Sequence, residues 1–354
     1  MPHLVRDRLF FGNISDAADV LQNGSSEITH VLSLLSSASI SFFSDWKPGI
    51  SIPTKEIRKV FFGDSDGSLR GNALSPEMLL YSLEHAGPDL KLVRMGVPLR
   101  DTEDDDLLDY LEVCLDFIHE NREKGSVLVH CFAGVSRSAA VITAYLMRTE
   151  QRSLEDALES LRQSCEFVCP NDGFLDQLKM FENMGFKVDT TNPIYKRFRL
   201  KILGHFYKQG EKIDSFIFGA DPGLPLESST PEGVSKEVQP AKSFRCRKCR
   251  RIIALQENVV SHEPGEGETC FDWHKRKSSS TFNRFDETEC SSIFVEPLKW
   301  MTTVEEGALE GKLSCIHCEA RLGYFNWSGI QCSCGSWITP AFQIHKSKVD
   351  ISTV

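Results

Sequence analysis

The sequence predicts two domains of different class. Residues 1–190 read as an α/β domain with a central mixed sheet flanked by helices, and 242–354 as a smaller, mainly-β domain stapled by metal. Three observations predict this. Strand-like and helix-like segments alternate through the first half. Eight of the twelve cysteines crowd between Cys246 and Cys334. The charge balance shifts from 18 Lys and Arg against 30 Asp and Glu over 1–190 to 22 against 20 over 191–354. A chain of 354 residues is long enough for two cores.

Within the first domain, Thr29 to Leu34 and Ser126 to His130 are apolar runs of strand length, each buried on both faces. Between them, Leu107, Leu108, Leu111, Leu115 and Ile118 recur at helical spacing over 107–122. Ala139 to Met147 reads as a buried helix. Ser153 caps another, which carries Leu154, Ala157, Leu158 and Leu161 on one face. A last helix runs from about Phe174 to Met184 and stops at Gly185. Residues 36–95 are punctuated by Ser, Gly and Pro (Ser36 to Ser44, Gly63 to Asn72) and read as an insertion or long surface loops. Residues 191–241 read as a connecting segment and linker, with Pro222, Pro225, Pro231, Gly233 and Pro240 among Ser and Glu.

Composition narrows the function classes. The first eight residues have no apolar core of signal-peptide type, and no apolar run has bilayer length, so an intracellular protein of cytoplasm and nucleus, with no membrane partner, is expected. In a reducing compartment clustered cysteines indicate metal or catalysis rather than disulfides. An acidic front half argues against non-specific nucleic-acid binding there. Basic clusters at Lys196 to Lys201, Arg245 to Arg251 and Lys275 to Lys277 read first as solvated faces, with RNA or an acidic partner as the alternative.

The stretch Val127-Leu128-Val129-His130-Cys131-Phe132-Ala133-Gly134-Val135-Ser136-Arg137-Ser138 lies between a strand and a helix. Backbone N–H groups of Phe132, Ala133, Gly134, Val135, Ser136 and Arg137 can converge on one point ahead of the helix N-terminus. There they would favour a thiolate at Cys131 and, later, a bound phosphate. Gly134 lets the backbone curl close to the anion. Arg137 offers a planar fork of donors for two phosphoryl oxygens.

These residues resemble the signature of the protein tyrosine phosphatase superfamily, His-Cys-x-x-Gly-x-x-Arg-Ser. Pro170-Asn171-x-Gly173-Phe174-x-x-Gln177-Leu178 is similar to the end of its compact dual-specificity branch. The resemblance implies a phosphocysteine on Cys131 and an upstream carboxylic acid that protonates the leaving oxygen. Asp101, at about the family's interval before the cysteine, is taken for that role. Asp104, Asp105 and Asp106 are assigned to the N-terminus of the next helix. It also implies that Ser138 assists departure of the sulfur, and that His130 orders the loop.

In the second domain Cys246-x-x-Cys249, Cys315-x-x-Cys318 and Cys332-x-Cys334 carry the spacing of zinc knuckles, and a closed four-ligand site is structural. One or two zinc ions are expected. The preferred pairing joins Cys246, Cys249, Cys315 and Cys318 around one ion, and Cys332 and Cys334 with Cys290 and His262 around a second. Pairing Cys315 and Cys318 with Cys332 and Cys334 is the alternative. Cys270 and His274 read as ordinary residues. Phe244 to Arg251, Gly323 to Trp327 and Gln331 to Lys346 resemble the zinc tail of the dual-specificity protein phosphatase 12 family. That resemblance implies phosphoprotein substrates carrying phosphotyrosine, phosphoserine or phosphothreonine. It also implies a role in large ribosomal subunit assembly, with pre-ribosomal particles or RNA as partners of the tail, for which catalysis could be dispensable.

Overall fold

The computed structural model describes residues 1–61, 79–189, 192–208, 218–224, 242–262, 265 and 290–353. They form two compact units, Met1–Asp189 and Thr190–Val354. Among the described residues no helix is long and apolar enough to cross a membrane. The Gly63 to Asn72 stretch, Cys270, His274, the Lys275 to Lys277 cluster and most of the Pro-rich linker lie outside them.

The first unit runs β1 (His3–Arg6), β2 (Leu9–Gly12), α1 (Ile14–Asn23), β3 (Ile28–Leu35), α2 (Phe42–Trp46), β4 (Thr54–Phe61), β5 (Leu79–Ala86), β6 (Leu92–Pro98), α3 (Leu108–Arg122), β7 (Ser126–His130), α4 (Arg137–Glu150), α5 (Leu154–Ser164) and α6 (Asp172–Asn183). Seven strands form one mixed sheet in the order β1-β2-β7-β3-β6-β5-β4. Pairing is parallel across β2, β7, β3 and β6 and antiparallel at both margins. The central strands β3 and β7 are almost wholly buried because helices cover both faces, and they are mainly apolar, with Ser33 and His130 among the buried polar exceptions. Phe10, Val31 and Leu128 cluster with Ala17, Val20 and Leu21 of α1, and Phe43 of α2 joins them. Residues one position along each strand face the other way, where α3 and α4 pack on β3, β7 and β2.

Among the described residues of 36–95, where an insertion or long surface loops were expected, β4, β5 and the start of β6 extend the sheet, and Met95 lies in the core. The pattern hid them for a physical reason. Strand β4 (TKEIRKVF) is exposed over its first six residues at the sheet margin, and β6 carries a buried Arg94 and Gly96 where an apolar run would be expected.

The second unit begins with α7 (Pro193–Lys208), inside the stretch assigned to a connecting segment. Its Leu200 and Leu203 enter the core. Lys196, expected on a solvated face, is buried and paired with Glu296 at 3.4 Å. Then follow β8 (Lys242–Cys246), β9 (Ile252–Leu255), β10 (Ser292–Phe294), the short α8 (Thr302–Glu305), β11 (Glu310–Ser314), β12 (Arg321–Asn326), β13 (Ile330–Gln331), β14 (Trp337–Ile338), β15 (Ala341–His345) and β16 (Val349–Thr353). They build a four-stranded sheet β10-β15-β12-β11 and a three-stranded sheet β16-β8-β9 around Trp300, Phe325, Trp327 and Phe342, while the β13-β14 hairpin packs Ile330 and Ile338 on Phe294, Cys332 and Ala341.

Candidate active site

Strand β7 ends at His130 and α4 begins at Arg137, so the loop from Cys131 to Ser136 sits at the carboxyl end of a central parallel strand. Ligands of open α/β sheets bind at such ends. Gly134 has φ +70°, and a Cβ there would lie 3.0 Å from the Gly12 carbonyl oxygen, so both conformation and space demand glycine. The Phe132 carbonyl accepts from the Ile14 N–H at 3.1 Å, tying the loop to the start of α1.

Cys131 is buried, and its sulfur accepts two hydrogen bonds, from the Gly134 N–H at 3.3 Å and the Ser138 hydroxyl at 3.1 Å. Phe132 and Ala133 are exposed at the loop rim. The Arg137 side chain donates through Nη1 to the Leu99 carbonyl at 3.1 Å. Its Nε is buried without a hydrogen-bond partner, 3.7 Å from Asp101 Oδ2. A buried donor without an acceptor is costly unless a ligand supplies one.

Beneath the loop lies a polar chain of which sequence reasoning named only His130, as the residue that orders the loop. His130 is fully buried, with Nδ1 3.1 Å from the Cys131 carbonyl and Nε2 2.7 Å from Ser33 Oγ. Burial pushes the ring's pKa down to about 3, with Arg94 and Arg137 acting the same way against the Cys131 hydrogen bond and Asp16. The ring is therefore neutral. A carbonyl only accepts, so Nδ1 carries the proton and Nε2 accepts from the Ser33 hydroxyl. Ser33 Oγ accepts from Arg94 Nε at 2.9 Å, and the wholly buried Arg94 pairs with Glu84. Ser33 and His130, polar residues inside the two apolar strand runs, were the available signal.

Asp101 follows β6, and its Oδ1 accepts from the Ser136 hydroxyl at 2.6 Å and Asn171 Nδ2 at 2.9 Å. Among the neighbouring carboxylates, Asp106 accepts from the Asp109 N–H at 3.1 Å in the manner of a cap. Asp105 does otherwise: it holds the Arg100 backbone N–H at 2.6 Å and Nε at 3.0 Å, bracing the loop that carries Asp101. The structure therefore brings Cys131, Arg137, Asp101, Ser138 and His130 to one place. That arrangement can bind a phosphoryl group, attack it with sulfur and exchange a proton with its ester oxygen.

The second unit gathers two ligand sets, Cys246, Cys249, Cys315 and Cys318, and His262, Cys290, Cys332 and Cys334, each with donor atoms within 4.8 Å of one another. Cys246 and Cys318 sulfurs are 3.6 Å apart, as are those of Cys249 and Cys315. Tetrahedral thiolates about 2.3 Å from zinc stand about 3.8 Å apart, so the set fits. In the other set, His262 Nε2 is 3.4 Å from both the Cys290 and Cys334 sulfurs. Burial and the neighbouring Cys332 and Cys334 push the Cys290 thiol up to about 12. Burial would raise Cys334 too, but backbone N–H groups of Gly265 and Ser336, with Cys332 and His262, bring it down to about 6. Crowded thiols of this kind ionise together once a cation neutralises them. Both sets can hold a zinc ion.

The model of the dual specificity phosphatase catalytic domain matches residues 82–184. Dual specificity protein phosphatase 12 of Homo sapiens is 42% identical over 267 residues, covering 75% of this chain and 76% of that protein. Tyrosine-protein phosphatase YVH1 of Saccharomyces cerevisiae is 32% identical over 293 residues, covering 73% and 79%. A "probable inactive dual specificity protein phosphatase-like" protein of Arabidopsis thaliana is 54% identical over 131 residues, covering 37% and 89%.

Proposed function

The chain belongs to the dual specificity phosphatase family, alongside dual specificity protein phosphatase 12, and from that premise we propose that it is an active phosphatase. It hydrolyses phosphotyrosine and phosphoserine or phosphothreonine in proteins through a phosphocysteine on Cys131. The observation that carries this reading is the buried Cys131 sulfur accepting from Gly134 and Ser138 beside the orphaned Arg137 Nε. The Cys131 thiolate attacks phosphorus, the ester P–O bond breaks, and the Asp101 carboxyl gives its proton to the departing oxygen. Arg137 holds two equatorial oxygens as their charge grows. Water then attacks the phosphocysteine, losing a proton to the Asp101 carboxylate, and the S–P bond breaks while the Ser138 hydroxyl hydrogen-bonds the leaving sulfur.

Each four-ligand set of the second unit holds one structural zinc, and the catalytic steps use neither. Substrate trapping by Cys131→Ser, with identification of the captured phosphoprotein, tests the function. Recovery of no phosphoprotein, together with undiminished turnover by the folded variant, would overturn it.

A second role for the tail, binding pre-ribosomal RNA, is favoured by one surface. The Arg321 guanidinium stacks 3.8 Å over the Tyr324 ring, which meets His345 edge-on at 6.1 Å. Lys312 is paired in register with Tyr324. Cations beside an aromatic platform suit single-stranded bases. Salt-dependent binding of a single-stranded RNA that Tyr324→Ala abolishes would support this role, and binding indifferent to Tyr324→Ala would exclude the surface.

A further inference from the structure

The Pro170-to-Leu178 segment has no part in the chemistry above, yet three of its residues grip the loop that carries Asp101. Asn171 caps α6, its Oδ1 accepting from the Phe174 N–H at 2.9 Å. That contact fixes the amide orientation, so Nδ2 is the atom that donates to Asp101 Oδ1. The Asn171 backbone N–H donates to Ser136 Oγ at 3.1 Å, turning that hydroxyl's proton onto the same Asp101 oxygen. Gly173 lies against the loop backbone: a Cβ there would stand 2.1 Å from the Glu103 carbonyl oxygen. Gln177 is fully buried. Its Oε1 accepts from the Leu107 and Leu108 N–H groups at 2.7 and 3.3 Å, and its Nε2 donates to the Asp105 carbonyl at 2.8 Å.

We propose that the start of α6 is a clamp that sets both the position and the reactive oxygen of the Asp101 carboxyl, with Asn171, Gly173 and Gln177 as positioning residues. This rests on Asp101 being the general acid. Oδ1 already accepts two hydrogen bonds, so the transferable proton resides on Oδ2, the oxygen facing Arg137 Nε. The acid loop is then held ready in the free enzyme rather than assembled when substrate binds.

The test uses the full-length protein and two substrates, phenyl phosphate, whose leaving group needs a proton, and an activated aryl phosphate, whose leaving group does not. Asn171→Ser retains a good helix cap while removing the donor to Asp101. Gly173→Ala suits a helix better than glycine does, but pushes the Glu103 backbone away. Each is expected to lose about tenfold more kcat/KM, which reports the first step alone, on phenyl phosphate than on the activated ester. Asn171→Asp, with a second carboxylate beside Asp101, should move the basic limb of the phenyl phosphate pH–rate profile upward. In the Asp101→Asn background, Asn171→Ser should add no further leaving-group selectivity. Lost protein stability alone would depress both substrates equally. If Asp101→Asn shows the selective loss but Asn171→Ser and Gly173→Ala do not, the clamp is wrong and the acid assignment stands. If Asp101→Asn shows no selective loss, the acid assignment falls and the clamp with it.

Discussion

The neutral, buried His130 makes the stability of the first unit depend on pH in a specific way. Its folded pKa of about 3 lies below the ordinary histidine value near 6.5. The folded state therefore stays neutral where the unfolded chain takes up a proton. Stability from this group is full above about pH 6.5 and drains away as pH falls toward 3. At pH 4.5, two units below the unfolded value, the loss is about 3 kcal/mol at about 1.4 kcal/mol per unit. His130→Gln removes the titration while keeping a polar, neutral side chain. At pH 7 it should cost about 1–3 kcal/mol, from the broken chain between Ser33 and the Cys131 carbonyl. At pH 4.5 that deficit should shrink by about 3 kcal/mol, leaving the variant as stable as wild type or more so. Carboxylates and His30 titrate in both proteins and cancel in the difference. The assay is urea unfolding of the full chain at the two pH values, read by hydrogen exchange of the slowest β7 and α4 amides. A deficit unchanged between pH 7 and 4.5 would refute the neutral, buried imidazole.

Other perturbations have defined outcomes. Cys131→Ser should abolish turnover of an activated aryl phosphate, and Arg137→Ala should lower it at least about a hundredfold, both with the thermal transition of the first unit retained. A strong chelator should remove the near-UV signal of Trp300 and Trp327, buried in the second unit, while aryl phosphate hydrolysis persists. Loss of activity on chelation would contradict the separation of the two roles. Arg6 Nε lies 2.7 Å from Glu150 Oε1 and holds that carboxyl below its usual range. Glu150→Gln should then cost about 0.5–1 kcal/mol at neutral pH, since both side chains are partly exposed. The depressed pKa gives the sign: the cost is full above the unfolded carboxylate pKa and vanishes as pH falls through the folded one.

What was legible followed from pattern density. Strands β3 and β7 and helix α4 stood out as apolar runs, α3 and α5 by apolar residues on one helical face, and α6 by its stop at Gly185. Cys131, Arg137 and Ser138 are neighbours in sequence because one loop must present them together. The ligand sets were legible as paired knuckles, and the preferred pairing named both, including His262 with Cys290, Cys332 and Cys334, although spacing alone left the alternative pairing of Cys315 and Cys318 with Cys332 and Cys334 open. The failures also have physical causes. Strand β4 is exposed over most of its length, so nothing selects alternation there, and Arg94 in β6 is buried only because Glu84 and Ser33 receive it. The fixing of Asp101 by Asn171 crosses 70 residues. Helix α7 was obscured by its charges, although Leu200, Leu203 and the paired Lys196 face the core.

The most direct measurement is a rapid acid quench of the full-length enzyme during turnover of an activated aryl phosphate, followed by peptide mass spectrometry. Asp101→Asn should be run beside wild type, because loss of the base for the second step lets the intermediate accumulate. A phosphocysteine mechanism predicts one phosphoryl group on the peptide containing Cys131, more of it in Asp101→Asn, and none in Cys131→Ser. Turnover in which that peptide never carries phosphate, or phosphate carried on a different residue, would contradict the assignment of Cys131 as the nucleophile.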